Sequence, residues 1–207
     1  MRFVFEDCVL DTDRRGASPA PRARKRPALT LESGPGAVRG EGAMPAALAL
    51  AGRGGERRPP AVLALAASPS APLLAVGGHR EVLLYNTRGD ALVGVPPFPQ
   101  GRVHVLRFSP DGQTLLAAGG EGAARGRASL FEVASGALRL AVDDARDAFL
   151  AADVREDLAQ LAVGGPTRVV AIHGLRPGAP SYELTAHTDW ITALAFSQDG
   201  TRAVSGN

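Results

Sequence analysis

The chain is poor in cysteine, lysine and aromatic residues. Its single cysteine, Cys8, excludes an internal disulfide and any metal centre built on clustered thiolates. With no Cys-x-x-Cys-His there is no haem attachment site, and with no Gly-x-Ser-x-Gly there is no serine nucleophile elbow. Lys25 is the only lysine among 23 Lys and Arg. The arginines are scattered rather than striped, which points to coding preference and away from a phosphate-binding face. Aromatic residues make up 5%, so a core within the 45% hydrophobic fraction must be assembled from Ala, Val and Leu. No apolar run approaches the roughly 18 residues of a spanning helix, so no membrane partner is expected. The opening Met1-Arg-Phe-Val-Phe-Glu-Asp turns acidic too early for a secretory signal.

What is present divides the 207 residues unevenly. Residues 1–60 carry 11 basic against 7 acidic side chains, a net of +4; residues 61–207 carry 12 against 14, a net of −2. The basic balance therefore belongs to the N-terminal part, and the remainder has no electrostatic footprint for nucleic acid. From Gly16 to Pro60 the composition is Arg, Pro, Ala and Gly without a period. Such a stretch buries too little apolar surface to offset its chain entropy, so 1–60 is expected to be a mostly disordered arm. Its run Arg22-Ala-Arg-Lys-Arg26 is short and lacks interleaved aromatics, which suits a solvated tail.

From Ala61 onward the texture changes to short β-rich runs separated by Gly, Pro, Ser and Asp. Strands ending in a small-residue pair recur at Gly77-Gly78, Gly119-Gly120, Gly164-Gly165 and Gly206-Asn207, at intervals of 119 − 77 = 42, 164 − 119 = 45 and 206 − 164 = 42 residues. A period near 40–45 residues with four strands per unit is the signature of a propeller blade. The spacing predicts an all-β, partial β-propeller of about three and a half four-stranded antiparallel blades: 61–98, 101–143, 147–186 and an incomplete 187–207. The first strand of each unit should be innermost and apolar on both faces. Leu65, Leu106, Ala152 and Leu194 share one register position. Ala67, Phe108, Val154 and Phe196 follow two residues on, and these eight are the expected core. The turns Ser109-Pro-Asp111-Gly112 and Ser197-Gln-Asp199-Gly200 combine a carboxylate that bonds local backbone with a glycine that accepts positive φ. Units one and three read Ser68-Pro-Ser-Ala and Arg155-Glu-Asp-Leu, from which looser turns are expected.

The phrases Gly77-Gly-His-Arg-Glu-Val-Leu-Leu-Tyr-Asn, Phe108-Ser-Pro-Asp-Gly-Gln and Ala186-His-Thr-Asp-Trp-Ile resemble WD40-repeat β-propellers, in particular bacterial WD40 proteins of the kind fused to c-type cytochrome domains. The resemblance covers about seven-tenths of the chain. It implies a structural role for His187 and Ser205, which in the family form part of a hydrogen-bond network with an Asp and a Trp. The family's Trp-Asp dipeptide is replaced here by Tyr85-Asn86, Phe131-Glu132 and Ile172-His173, so the network is incomplete. Met1 to Arg15 (MRFVFEDCVLDTDRR) resembles the opening strands of response-regulator winged-helix domains. No recognition helix follows it, so no specific nucleic-acid site is expected. A propeller needs about 4–8 blades, so the flat outer faces of the first and last blades should require remaining blades of a longer protein, or a second copy, to close the ring.

Candidate sites are few. His79, His104, His173 and His187 lack metal-ligand spacing, so structural or surface roles are expected and no metal. Gly119-Gly-Glu-Gly-Ala-Ala-Arg-Gly126 resembles a phosphate-cradling loop but precedes a strand rather than a helix, which favours a hairpin loop. Asp143, Asp144 and Asp147 lack Ca²⁺-loop spacing and suit a solvated turn. The loop His187-Thr188-Asp189-Trp190 leads into an innermost strand. It holds the chain's one tryptophan, a residue type enriched in binding hot spots. The expected function is thus a non-catalytic protein-interaction scaffold without cofactor, with Trp190, Asp189 and Thr188 touching partner proteins. The alternatives are a DNA-binding regulator with a propeller sensor, or a propeller enzyme. The compartment is cytoplasmic by default, and periplasmic if the cytochrome-fused resemblance extends to location.

Overall fold

Each change from an apolar run to a Gly, Pro, Ser or Asp cluster marks a reversal of the chain. The computed structural model describes residues 2–5, 8–11 and 61–207. It contains β1 (Arg2–Phe5), β2 (Cys8–Asp11), β3 (Leu65–Ala67), β4 (Leu73–Gly77), β5 (His79–Asn86), β6 (Ala91–Gly94), β7 (Pro97–Phe108), β8 (Thr114–Glu121), β9 (Arg125–Glu132) and β10 (Leu138–Asp144). These are followed by β11 (Ala151–Val154), β12 (Gln160–Gly164), β13 (Val170–Gly174), β14 (Tyr182–Leu184), β15 (Ala193–Phe196) and β16 (Arg202–Gly206), and no helix occurs among the described residues. Four antiparallel blades result: β3 to β6, β7 to β10, β11 to β14, and β15 with β16.

Two connections differ from the expected layout. The first half of β7 continues along blade one, pairing Pro97 with Glu81 and Arg102 with His79, so blades one and two form one continuous sheet. The chain then turns at Gly101, whose φ of +130° a side chain would resist. In blade four, incomplete on the spacing alone, the outer edge of β16 is paired. It is taken in parallel register by β1, with Arg2 opposite Arg202, and β2 closes the sheet. The strand pair that resembles a winged-helix opening thus extends a blade. The rest of the expected arm lies outside the described residues.

All four innermost strands leave by the same five-residue turn. Ser68, Ser109, Arg155 and Ser197 each donate their N–H to the carbonyl of Leu73, Thr114, Gln160 and Arg202, at 2.8–3.0 Å. In blade two the Ser109 hydroxyl donates to Asp111 at 2.5 Å and accepts from the Thr114 N–H, while Asp111 also accepts from the Gln113 N–H at 2.9 Å. Ser197, Asp199, Thr201 and Arg202 repeat this network in blade four. Gly112 (φ +71°) and Gly200 (φ +64°) supply the left-handed residue. The expectation of a looser third turn is corrected by the geometry. Leu158 donates its N–H to Arg155 at 2.9 Å and adopts φ +53°, the conformation that glycine fills in its counterparts. Asp157 accepts from the Ala159 N–H, so the local carboxylate bond survives.

The small-residue pairs that mark the repeat are where one blade meets the next. A Cβ on Gly164 would stand 2.7 Å from Cγ2 of Ile191, and one on Gly77 would stand 3.1 Å from Cβ of Val103. In the first and third pairs the second residue accepts a backbone bond from the following blade: Gly78 from Val103 at 3.4 Å, and Gly165 from Ile191 at 3.1 Å. At the middle junction Gly119 accepts from Phe149 at 3.1 Å.

Three apolar clusters fill the three junctions. Ala75, Val82, Leu84 and Phe98 meet Leu106, Phe108, Leu115 and Phe131 between blades one and two. Leu116, Ala118 and Leu130 meet Ala152, Leu161 and Val163 between two and three. Ala162, Val170 and Ile172 meet Ile191 and Ala203, with Leu194 and Phe196 partly buried, between three and four. Leu65 and Ala67 depart from the expected core: Leu65 is 61% exposed and Ala67 is exposed too. By the period-two rule they point away from the first junction, which takes Ala64 and Ala66 instead. No blade of the described chain lies on their side.

Candidate functional site

The backbone bonds between blades fix one structural position three times over. Val103, Phe149 and Ile191 are equivalent donors at the start of the innermost strands. The residues immediately before them, Arg102, Ala148 and Trp190, all line a cavity of about 660 Å³ at the loop end of the blades. Ala148 is buried and forms part of the floor. Trp190 is 57% exposed and forms a wall. His104 and Leu150, two residues further along, line the cavity as well.

The remaining walls come from the outer turns. His79 and Arg80 arrive from the β4–β5 turn, where Gly78 N–H donates to the Glu81 carbonyl at 3.0 Å. Arg80 adopts φ +68°, a left-handed conformation that costs a non-glycine residue about 1 kcal/mol or more. His79 pairs with Arg102 across β5 and β7, so the backbone of Arg80 lies next to that pair. The loop linking β8 to β9 closes the far side. Asp147 accepts from the Ala123 N–H at 2.9 Å and from the Ala148 N–H at 2.7 Å, and so pins that loop to the floor. This corrects the reading of Asp147 as a solvated turn residue. The reading fails for Asp144 too, which is 5% exposed and accepts from the backbone N–H, Nε and Nη2 of Arg146. Burial, and then the neighbouring Arg102 cation, hold the His104 imidazole below its ordinary pKa. It is therefore neutral at pH 7 and offers one donor and one acceptor.

The residues singled out from the sequence fall in three places. Trp190 is in the groove. Asp189 and Thr188 are beside it but do not line it; Asp189 instead accepts from the Trp190 N–H at 2.7 Å, which fixes the loop that presents the indole. His187 lies behind the same loop, 2.7 Å from the Ser205 hydroxyl through Nε2 and 3.3 Å from Asn207 through Nδ1. It thereby braces the Trp190 loop against β16. Asp111, Gly112, Asp199 and Gly200 sit at the opposite end, in the turns described above. Leu106, Phe108, Leu194 and Phe196 pack in the junctions. Arg80 and Arg102 were not anticipated. The signal was available in the repeat register, because Arg102 occupies the same place relative to its strand as Trp190.

At the opposite end the innermost strands of all four blades converge on a second cavity of about 510 Å³. Its distinguishing residue is Asp153, 2% exposed on β11. One carboxylate oxygen accepts from the Phe196 N–H of blade four at 2.7 Å; the other pairs with Arg107 of blade two at 3.0 Å. Burial raises its pKa, opposed by the Phe196 N–H and the Arg107 cation. Both oxygens are engaged in joining blades, so this end has the character of a brace. Among the described residues no three His, Cys, Asp or Glu side chains gather as a metal site.

Comparison with known proteins agrees with this architecture. Residues 178–207, which contain the Trp190 loop, β15 and β16, match the family model "WD domain, G-beta repeat". The chain thus carries a WD40 repeat in a propeller-like, all-β fold. A solved structure titled "Structure of U3-55K" superposes with a TM-score of 0.57 at 17% identity, covering 72% of this chain and 44% of that one. At that identity the likeness is one of fold, and this chain spans less than half the length of that structure. No curated protein sequence matches the chain.

Proposed function

We propose that the protein is a non-catalytic interaction scaffold, in which residues 61–207 form a WD40-like unit whose loop-end groove holds an extended segment of a partner protein. The observation that carries this reading is the triple equivalence of Arg102, Ala148 and Trp190. One backbone position, fixed by bonds between blades, is filled by a cation, a methyl group and an indole, and all three open on one groove. A common frame with varied side chains suits recognition. The half-exposed indole is the natural anchor: it offers a large, rigid contact area at little entropic cost. Asp189 and His187 hold its loop, and Thr188 borders the bound segment. Chemistry is not part of this reading, because Asp147 in the groove and Asp153 at the far end have their carboxylates committed to structure.

The experiment is a selection of short random peptides on the immobilised chain. Selected peptides should bind wild type and lose about tenfold or more in affinity to Trp190→Ala, a typical hot-spot loss. Gln198→Ala, at the opposite end, should leave binding unchanged. Failure to select any peptide, or selected peptides indifferent to Trp190→Ala, would overturn the proposal.

A further inference from the structure

The groove's charges are unevenly committed. Its acids are Glu121 and Asp147. Asp147 accepts from two backbone N–H groups, which leaves Glu121, among the described residues, as one unpaired carboxylate against two unpaired cations. Its cations are Arg80 and Arg102, and among the described residues neither has an ion-pair partner. Arg80 is also held in a strained backbone conformation at the groove rim, where glycine would sit at lower cost. Two unpaired arginines and an indole on one groove, with Ala148, Leu150 and Pro166 among its lining, define what fits. We infer that the groove takes an acidic peptide segment, with carboxylates on Arg80 and Arg102 and an apolar side chain against Trp190.

This inference rests on the scaffold reading and adds the chemistry of the partner. A single-stranded nucleic acid offers phosphates and bases to the same groups. It is disfavoured because successive bases stack on successive aromatic faces, and the groove lining holds one tryptophan and no tyrosine or phenylalanine.

The chain reports on its own groove, since Trp190 is the only tryptophan. Indole emission of the full 207-residue protein is followed while adding a peptide of alternating Glu and Leu, its Gln/Leu and Lys/Leu counterparts, or oligothymidylate. The Glu/Leu peptide should give a saturable change. Its affinity should fall about tenfold or more with Arg102→Glu or Arg80→Glu, and further with added salt. Arg80→Gly removes the charge and relieves the backbone at once, so it should bind more weakly while remaining well folded. Equal binding of the Gln/Leu peptide, preference for the Lys/Leu peptide or oligothymidylate, or no loss in the arginine variants would each overturn the inference. If random selection yields neutral or basic peptides that depend on Trp190, the scaffold reading stands and this inference falls; if it yields none, the scaffold reading falls first.

Discussion

Leu106 and Leu65 occupy the same place in successive blades, yet one is 8% exposed and the other 61%. Each lies on an innermost strand, opposite a small or branched residue of the next: Leu106 faces Ala117 and Leu65 faces Val76. The difference is the company they keep. Blade two has neighbours on both sides, and β8 is buried from Thr114 to Gly120. Blade one has a neighbour on one side only, and blade four shows the mirror condition, with Ala193, Ala195 and Val204 exposed. A blade does not own its core. Its strands supply two apolar faces, and the blades alongside decide whether those faces are shielded from water.

The largest effect should come from testing that pair. Leu106→Ala should cost about 3 kcal/mol by denaturant unfolding, within the usual range for buried leucine. Leu65→Ala should change stability by less than about 0.5 kcal/mol, as exposed sites do. Equal costs would mean that the open face of blade one is covered in solution. The second contrast lies on the innermost strands, where Asp153 in blade three and Ala195 in blade four share a register position. Asp153→Ala strands the Phe196 N–H and removes the partner of Arg107, so a loss of about 2 kcal/mol is expected. Ala195→Ser, on an exposed face, should be nearly silent.

Smaller effects separate the turns. Leu158→Gly should stabilise the chain by roughly 1 kcal/mol by releasing a left-handed leucine, and Gly112→Ala should destabilise it by a similar amount. Thermal melts of the two variants should move in opposite directions; movement in one direction would break the claimed equivalence of the turns. The smallest effect is acid sensitivity. The Ser197 hydroxyl and the Thr201 N–H hold the Asp199 carboxyl down at about 2. Its folded pKa thus lies below the unfolded value near 3.9. Its contribution is present above pH 4 and drains away as pH falls through about 2. Urea titrations across that window should show the decline, and Ser197→Ala should flatten it.

Most of the strand order was legible because repetition makes one good unit explain the weaker ones. The unit at 187–207 carried turn chemistry that blade two repeats, and the glycine pairs kept the register between them. What escaped includes three features set by context. Leu158 concealed a turn, since residue type argued against a conformation that the surrounding ladder imposes. The commitments of Asp144 and Asp147 depend on contacts made after the blades assemble, with Arg146 and with the backbone of a distant loop. The exposure of Leu65 is a matter of which neighbour is present, which alternation along one strand does not report. The groove was half legible: rarity drew attention to Trp190, but only alignment by backbone role brings Arg102 and Ala148 to the same position.

The hydrogen bonds by which Val103, Phe149 and Ile191 reach back to the preceding blade have a dynamic consequence. Each couples a leaf to one neighbour and to no leaf beyond it, so cooperativity travels only from leaf to adjacent leaf. Fraying should therefore begin at β3 and β15 and advance inward as a front. Deuterium would then enter the amides of β8 and β9 last, and the most slowly exchanging amides would mark the middle of the array.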